Sequence, residues 1–163
     1  MPCSKAQEAA QSLLYDRLGG THIIAGVIDD FVNRLTANPI ITANEKVASG
    51  MQRISKAGLK FHITELICQE AGGPQKYTGQ SMKESHQGLG IKEEEWQAMM
   101  KDFLATLGKF NVPVKEQNEL LAIVTKTKAD IVVAKVEEPQ AKAPQPEIPG
   151  LPGLPMPKAP VTP

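Results

Sequence analysis

Cysteine is scarce in this 163-residue chain, with only Cys3 and Cys68. Two thiols cannot make the framework of a disulfide-dense secreted scaffold, nor a four-thiolate zinc or iron–sulfur site. An excess of either charge is missing too, with 18 Lys+Arg against 18 Asp+Glu. That balance excludes a generally basic nucleic-acid binder and an acidic tail protein. No run approaches the roughly 18 apolar residues of a membrane span. The polar opening Met1-Pro2-Cys3-Ser4 carries no secretory leader, so the expected location is the cytoplasm, unless a leader is missing from this start. A GxxxxGK[ST] phosphate loop, a GxSxG nucleophile elbow and a CxxCH haem-attachment site are all absent. No alternating strand pattern of useful length occurs either.

Proline is unevenly spread. Nine of the 13 prolines lie between Pro139 and Pro163. Proline has no N–H to give a helix or a sheet, so residues 137–163 are expected to be a disordered, partly polyproline-II tail. PxxP spacings such as Pro146–Pro149 suit an aromatic docking groove, and a solvated spacer is the plainer reading. Residues 1–10 form an N-terminal extension, leaving 11–136 as one folded domain, large enough to bury a core unaided.

The domain reads as all-helical. Ile23, Ile24, Val27, Ile28, Phe31, Val32 and Leu35 recur at helical spacing, after a short helix near Leu13, Leu14 and Leu18. Gly19-Gly20 separates the two, Thr21 is the expected N-cap, and Asn38-Pro39 ends the second helix. Ile40 to Gly50 shows a weak pattern and is expected to be loop with short turns. Leu59, Ile63, Leu66 and Ile67 make another stripe, stopped by Gly72-Gly73-Pro74. A short helix is expected from Ser81 to Gln87, with Met82, His86 and Leu89 on its inner face and Gly88 and Gly90 closing it. Trp96, Met99, Met100, Phe103, Leu104 and Leu107 mark a long helix. Its leading Glu93-Glu94-Glu95 suits the positive end of a helix dipole better than a metal site. Val112-Pro113 starts the last helix, which carries Leu120, Leu121, Ile123, Val124, Thr127 and Ile131.

Chemistry-bearing residues are few. Cys68 lies on an apolar helix face and reads as a small buried hydrophobe. His22 reads as a surface or cap residue. His62 and His86 sit on different helices among apolar neighbours, and each is open to two readings. Either could be a satisfied core histidine. Alternatively, two facing helices with an apolar slot between them could hold a flat macrocycle, with an imidazole ligating its iron.

Four stretches settle on a family. They are Leu14-Tyr15-Asp16-Arg17-Leu18-Gly19-Gly20, Val27-Ile28-Asp29-Asp30-Phe31-Val32, the run GGPQKYTGQSMKESH from Gly72 to His86, and Leu89-Gly90-Ile91 through Trp96. Together they resemble the group I truncated haemoglobins, the two-over-two globins. The resemblance covers nearly all of the domain and none of the tail. It implies an all-α, truncated globin-like two-over-two helical sandwich holding haem b. It implies His86 as the proximal iron ligand, with Met82 one turn earlier against the macrocycle. Tyr77, Ile91 and Trp96 fall at haem-wall or supporting positions. Leu59, Ile63 and Leu66 face the distal side, and His62 falls where some members carry a sixth iron ligand. Two departures stand out. Val32, after Phe31, replaces a frequent tyrosine, and Ile40 to Lys46 has no aromatic residue where the family often wedges the haem with phenylalanine. Phe61 is a candidate to replace that wedge.

The function so implied is reversible binding of O2, NO or CO at a His-ligated iron, with NO-dioxygenase-type turnover open if an external reductant, as yet unknown, is supplied. His62 would ligate the iron or donate a hydrogen bond to the gas. The other ring nitrogen of His86 is expected to donate to a backbone carbonyl or to a hydroxyl such as Ser81 or Ser85. Two alternatives stay open: a six-coordinate redox or sensing module, and a haem-less globin-like interaction protein. No nucleic-acid or membrane partner is expected. A docking partner for the proline-rich tail stays open beside the plainer reading as a spacer.

Overall fold

A computed structural model describes residues 12–133. The expectations for the N-terminal extension, Cys3 and the proline-rich tail lie outside the described residues. Within them every regular element is a helix. In chain order these are α1 (Leu14–Arg17), α2 (Gly20–Ala37), α3 (Pro39–Thr42), α4 (Glu45–Arg53) and α5 (Lys56–Glu70). There follow α6 (Met82–His86), α7 (Glu93–Lys109), α8 (Val114–Lys126) and α9 (Lys128–Ile131). None among the described residues is long and apolar enough to cross a membrane.

Four long helices make the body. Helix α2 packs along α5 and crosses α7, while α8 follows α7 and closes against α5. Of the stripe read from the sequence, Ile24, Val27, Ile28, Phe31 and Val32 are buried and Leu35 is half-buried, while Ile23 is 44% exposed and does not join the core. The buried side chains meet Ile67 and Cys68 of α5, Phe103 and Leu107 of α7, and Leu120 and Ile123 of α8. Phe31 and Phe103 meet edge to face at 5.2 Å, the arrangement the ring quadrupoles favour. Cys68 is fully buried, and that burial pushes its thiol up, away from the thiolate a nucleophile needs. A second, smaller cluster forms around Ile41, Val47 and Ala98.

Three local expectations need correction. Thr21 does not cap α2. The chain turns into that helix through Gly19, at φ 94°, a backbone conformation that favours glycine. Thr21 instead shares a 2.7 Å hydrogen bond between its hydroxyl and that of Tyr15. Ile40 to Gly50 is not loop. It is largely helical, as α3 and most of α4, because two asparagines cap where the apolar pattern is thin. Asn38 Oδ1 accepts from the Ile40 N–H at 3.0 Å, and Asn44 Oδ1 accepts from the Lys46 N–H at 3.1 Å. The last helix breaks at Thr127, so Ile131 belongs to α9 rather than to α8.

Polar contacts tie the layers together. Asp30 of α2 accepts from Arg34 at 2.7 Å, from the Thr106 hydroxyl at 3.0 Å and from Lys109 at 2.5 Å. The Arg34 and Lys109 bonds lower its carboxyl pKa to about 2, against the opposing push of burial. A depressed carboxyl contributes stability that is present above its unfolded pKa and is lost as pH falls. Lys109 is half exposed, so water screens much of the interaction and about 1 kcal/mol is the expected share. Asp30→Asn should therefore melt a few degrees below the parent at pH 7. That gap should close between roughly pH 4 and pH 2. A gap that persists at pH 2 would mean the side chain acts through shape rather than charge.

Candidate functional site

The two histidines of interest lie on elements that do not pack closely on each other. His62 is on α5. His86 ends α6, which leans on α9 rather than on α5. On α5, on the loop after α6 and on α7, several apolar side chains are half-buried rather than sealed into the core. Leu59 and Ile63 of α5 lie against the main cluster, Leu89 and Ile91 lie against the smaller one, and Met99 touches both. Leu66 and Met82 are half-buried as well. This is the kind of apolar lining a planar hydrophobic cofactor needs.

Helix α6 is five residues long, too short to stand alone. Its start is set by a capping box: the Ser81 hydroxyl accepts from the Glu84 N–H at 3.2 Å, and Glu84 accepts in return from the Ser81 N–H at 3.3 Å. Beyond it, Gly88 and Gly90 turn the chain at φ 82° and 63°. Asn44 Nδ2 donates to the Leu89 carbonyl at 3.1 Å, so one side chain both caps α4 and holds the loop after α6. On the other side the Val133 N–H donates to the Ile91 carbonyl at 3.0 Å, and Lys128 pairs with Glu93 at 2.9 Å.

His86 Nδ1 lies 2.8 Å from the Met82 carbonyl. A carbonyl only accepts, so Nδ1 carries the proton and Nε2 is left with the lone pair. Burial holds the ring below the usual histidine pKa and favours the neutral form, only partly offset by that same bond. A neutral imidazole with an orienting Nδ1–H bond is the state in which histidine binds a metal. The partner is thus the Met82 carbonyl. Ser81 is the cap, and the Ser85 hydroxyl donates to the Ser81 carbonyl at 2.5 Å.

His62 presents the opposite case. Its Nδ1 is buried and has no hydrogen-bond partner. The Phe61 and Tyr77 rings flank it edge-on at 5.5 and 6.2 Å. Phe61 itself is 56% exposed, on the outer side of α5. Tyr77 is anchored, its hydroxyl donating to the Gln80 carbonyl at 2.6 Å and its N–H to Gln69 Oε1 at 2.9 Å. Phe31, Val32 and Trp96 are buried, and Ile91 is half-buried on the smaller cluster. His22 is exposed. Among the described residues no group of three His, Cys, Asp or Glu side chains is placed to hold a metal ion, and Glu93 and Glu95 are engaged with Lys128 and the Lys92 N–H. A cavity in the core, among Ile24, Ile28, Ile67, Phe103 and Leu120, lies elsewhere, and no titratable group lines it.

The donor set fits a haem. It offers an oriented imidazole on one element, a second imidazole on another, and half-buried apolar side chains on these elements and on α7. The family model of the bacterial-like globins matches residues 13–133. A group 1 truncated haemoglobin of Synechocystis is 28% identical over 69% of this chain and 89% of that protein. One from Mycolicibacterium paratuberculosis is 25% identical over 81% of this chain and 93% of that protein. Among solved structures, the Fe(III) truncated haemoglobin of Tetrahymena pyriformis superposes with a TM-score of 0.63 at 22% identity, over 76% of this chain and 100% of that one. The chain belongs to the bacterial-like globins, and the relatives it resembles are group 1 truncated haemoglobins. It is a haem-binding globin with the two-over-two fold.

Proposed function

We propose that this globin holds haem b through His86 Nε2 and binds a diatomic gas, O2, NO or CO, on the side of His62. The observation that carries this reading is the 2.8 Å bond from His86 Nδ1 to the Met82 carbonyl, which fixes the tautomer and leaves Nε2 free to ligate. Bound haem would supply a ferrous iron able to take up such a gas reversibly.

The chain's own residues do the rest. Met82 orients the proximal imidazole through its carbonyl. Ile63, Leu66, Met82 and Ile91 keep water from the macrocycle. Tyr77 braces the loop that leads into α6, and Trp96 supports the helix behind it. Val32 offers no hydrogen bond where the family often has a hydroxyl, so His62 is the polar group of the distal side. His62 would either ligate the iron and leave before gas enters, or donate a hydrogen bond to the gas. Dioxygenation of NO would further require a reductant outside the chain.

The expected result for His62→Ala follows. Loss of one distal donor should change gas dissociation about 5- to 150-fold, matching a hydrogen bond of roughly 1–3 kcal/mol. If His62 ligates, the ferric spectrum should move from low spin to high spin instead. Rapid mixing of the ferrous protein with O2 and CO, beside ferric absorption spectra, tests both. An unchanged spectrum together with unchanged kinetics would remove His62 from the site.

A further inference from the structure

Glu65 stands on α5, three residues after His62. In the structure Glu65 Oε2 lies 3.6 Å from His62 Nδ1, the buried nitrogen without a hydrogen-bond partner. The same oxygen is held from the other side. The Thr78 hydroxyl donates to it at 2.6 Å, and the Thr78 N–H at 3.2 Å. Two donors from the loop before α6 thus pin a carboxylate beside the imidazole. A buried ring nitrogen without a partner is rare in native proteins and calls for a function or a small closing movement. A few tenths of an ångström would turn 3.6 Å into a hydrogen bond.

We infer that Glu65 is a positioning residue for His62, its carboxylate accepting the Nδ1–H so that Nε2 is the nitrogen presented to the haem. The inference rests on the reading of His62 as the distal residue. A carboxylate behind a ligating imidazole fixes its tautomer, limits its rotation and makes it the stronger donor. The flanking Phe61 and Tyr77 rings restrict the imidazole further. Glu65 has a second consequence through Thr78. The carboxylate that aims the distal histidine also secures the segment running to Ser81, where the helix bearing His86 begins. One side chain thereby links the two sides of the site.

The test uses the full chain loaded with hemin and measures whichever property His62→Ala alters, ferric spin state or ferrous gas dissociation. Glu65→Ala should shift that property in the same direction as His62→Ala, weakening ligation through the Nε2 lone pair of His62 about tenfold. Glu65→Gln keeps an acceptor and should shift it less. Thr78→Val removes one of the two donors that pin the carboxylate and should shift it in the same direction, by less than Glu65→Ala. In a His62→Ala background, Glu65→Ala should lose most of its effect and keep only what its tie to Thr78 carries. A parental spectrum and parental kinetics for Glu65→Ala, while His62→Ala differs, overturn the inference and leave His62 in place. An equal Glu65→Ala effect with or without His62 also overturns it, since Glu65 would then act through the loop. No effect of His62→Ala removes the underlying reading and the inference together.

Discussion

His86→Gly is expected to fold normally and fail to keep haem. The side chain is half-buried on a peripheral helix, so its loss costs the fold little. The loss to the cofactor is large. Removing even a supporting contact around a metal ligand lowers metal affinity 10- to 100-fold, and removing the ligand itself should cost roughly 100-fold or more. Titration with hemin should show no tight stoichiometric Soret band, while the helical circular dichroism signal of the apoprotein matches the parent. Added imidazole should restore a Soret band, because the glycine leaves room for a free ring. A normal Soret band in the variant without imidazole would place the iron ligand elsewhere in the chain.

Leu107→Ala should be the most damaging of the core substitutions. Leu107 is fully buried, on the face of α7 that carries Phe103. Truncation leaves a cavity among side chains already in van der Waals contact, which costs about 2–5 kcal/mol. Against a total of roughly 5–15 kcal/mol for a domain of this kind, that is a large fraction. A fall of about 10 °C in melting temperature is expected. Leu104, three residues earlier on the same helix, is 42% exposed, and Leu104→Ala should stay within about 0.5 kcal/mol. Parallel thermal melts of the two apoproteins check the contrast. Equal losses would mean that α7 does not present the face described.

The long elements were legible because each carries a dense apolar stripe. Five residues of α2 from Ile24 to Val32 are buried, and a 3.6-residue period over two turns is hard to mistake. Helix α4 escaped for the opposite reason. Between Glu45 and Arg53 the larger apolar side chains are Val47 and Met51 alone, and Val47 is the one that is buried. Its signal is a cap, Asn44, which the sequence displays only as one polar residue among several. Thr21 misled in the reverse sense. It is a good capping residue by type, but the backbone turn sits at Gly19 and leaves the hydroxyl to Tyr15.

The site divides in the same way. His86 and Met82 stood out through one motif and a four-residue spacing, which brings a ring nitrogen onto the carbonyl one turn back. Glu65 could have been found from its i, i+3 relation to His62. Its hold on Thr78 could not, because thirteen residues and two turns of chain separate them. Periodicity describes what a helix does along itself. Contacts between a helix and a distant loop have no period.

The brevity of α6 has one more consequence. A helix of a single turn has little free energy of its own, so its geometry is borrowed from α9, from the Asn44–Leu89 tie and from the Val133–Ile91 bond. Whatever occupies Nε2 of His86 must therefore select the ordered turn from a wider set of conformers, and by reciprocity it deepens that order with the same free energy. Cofactor escape and fraying of this segment become one equilibrium seen from two ends.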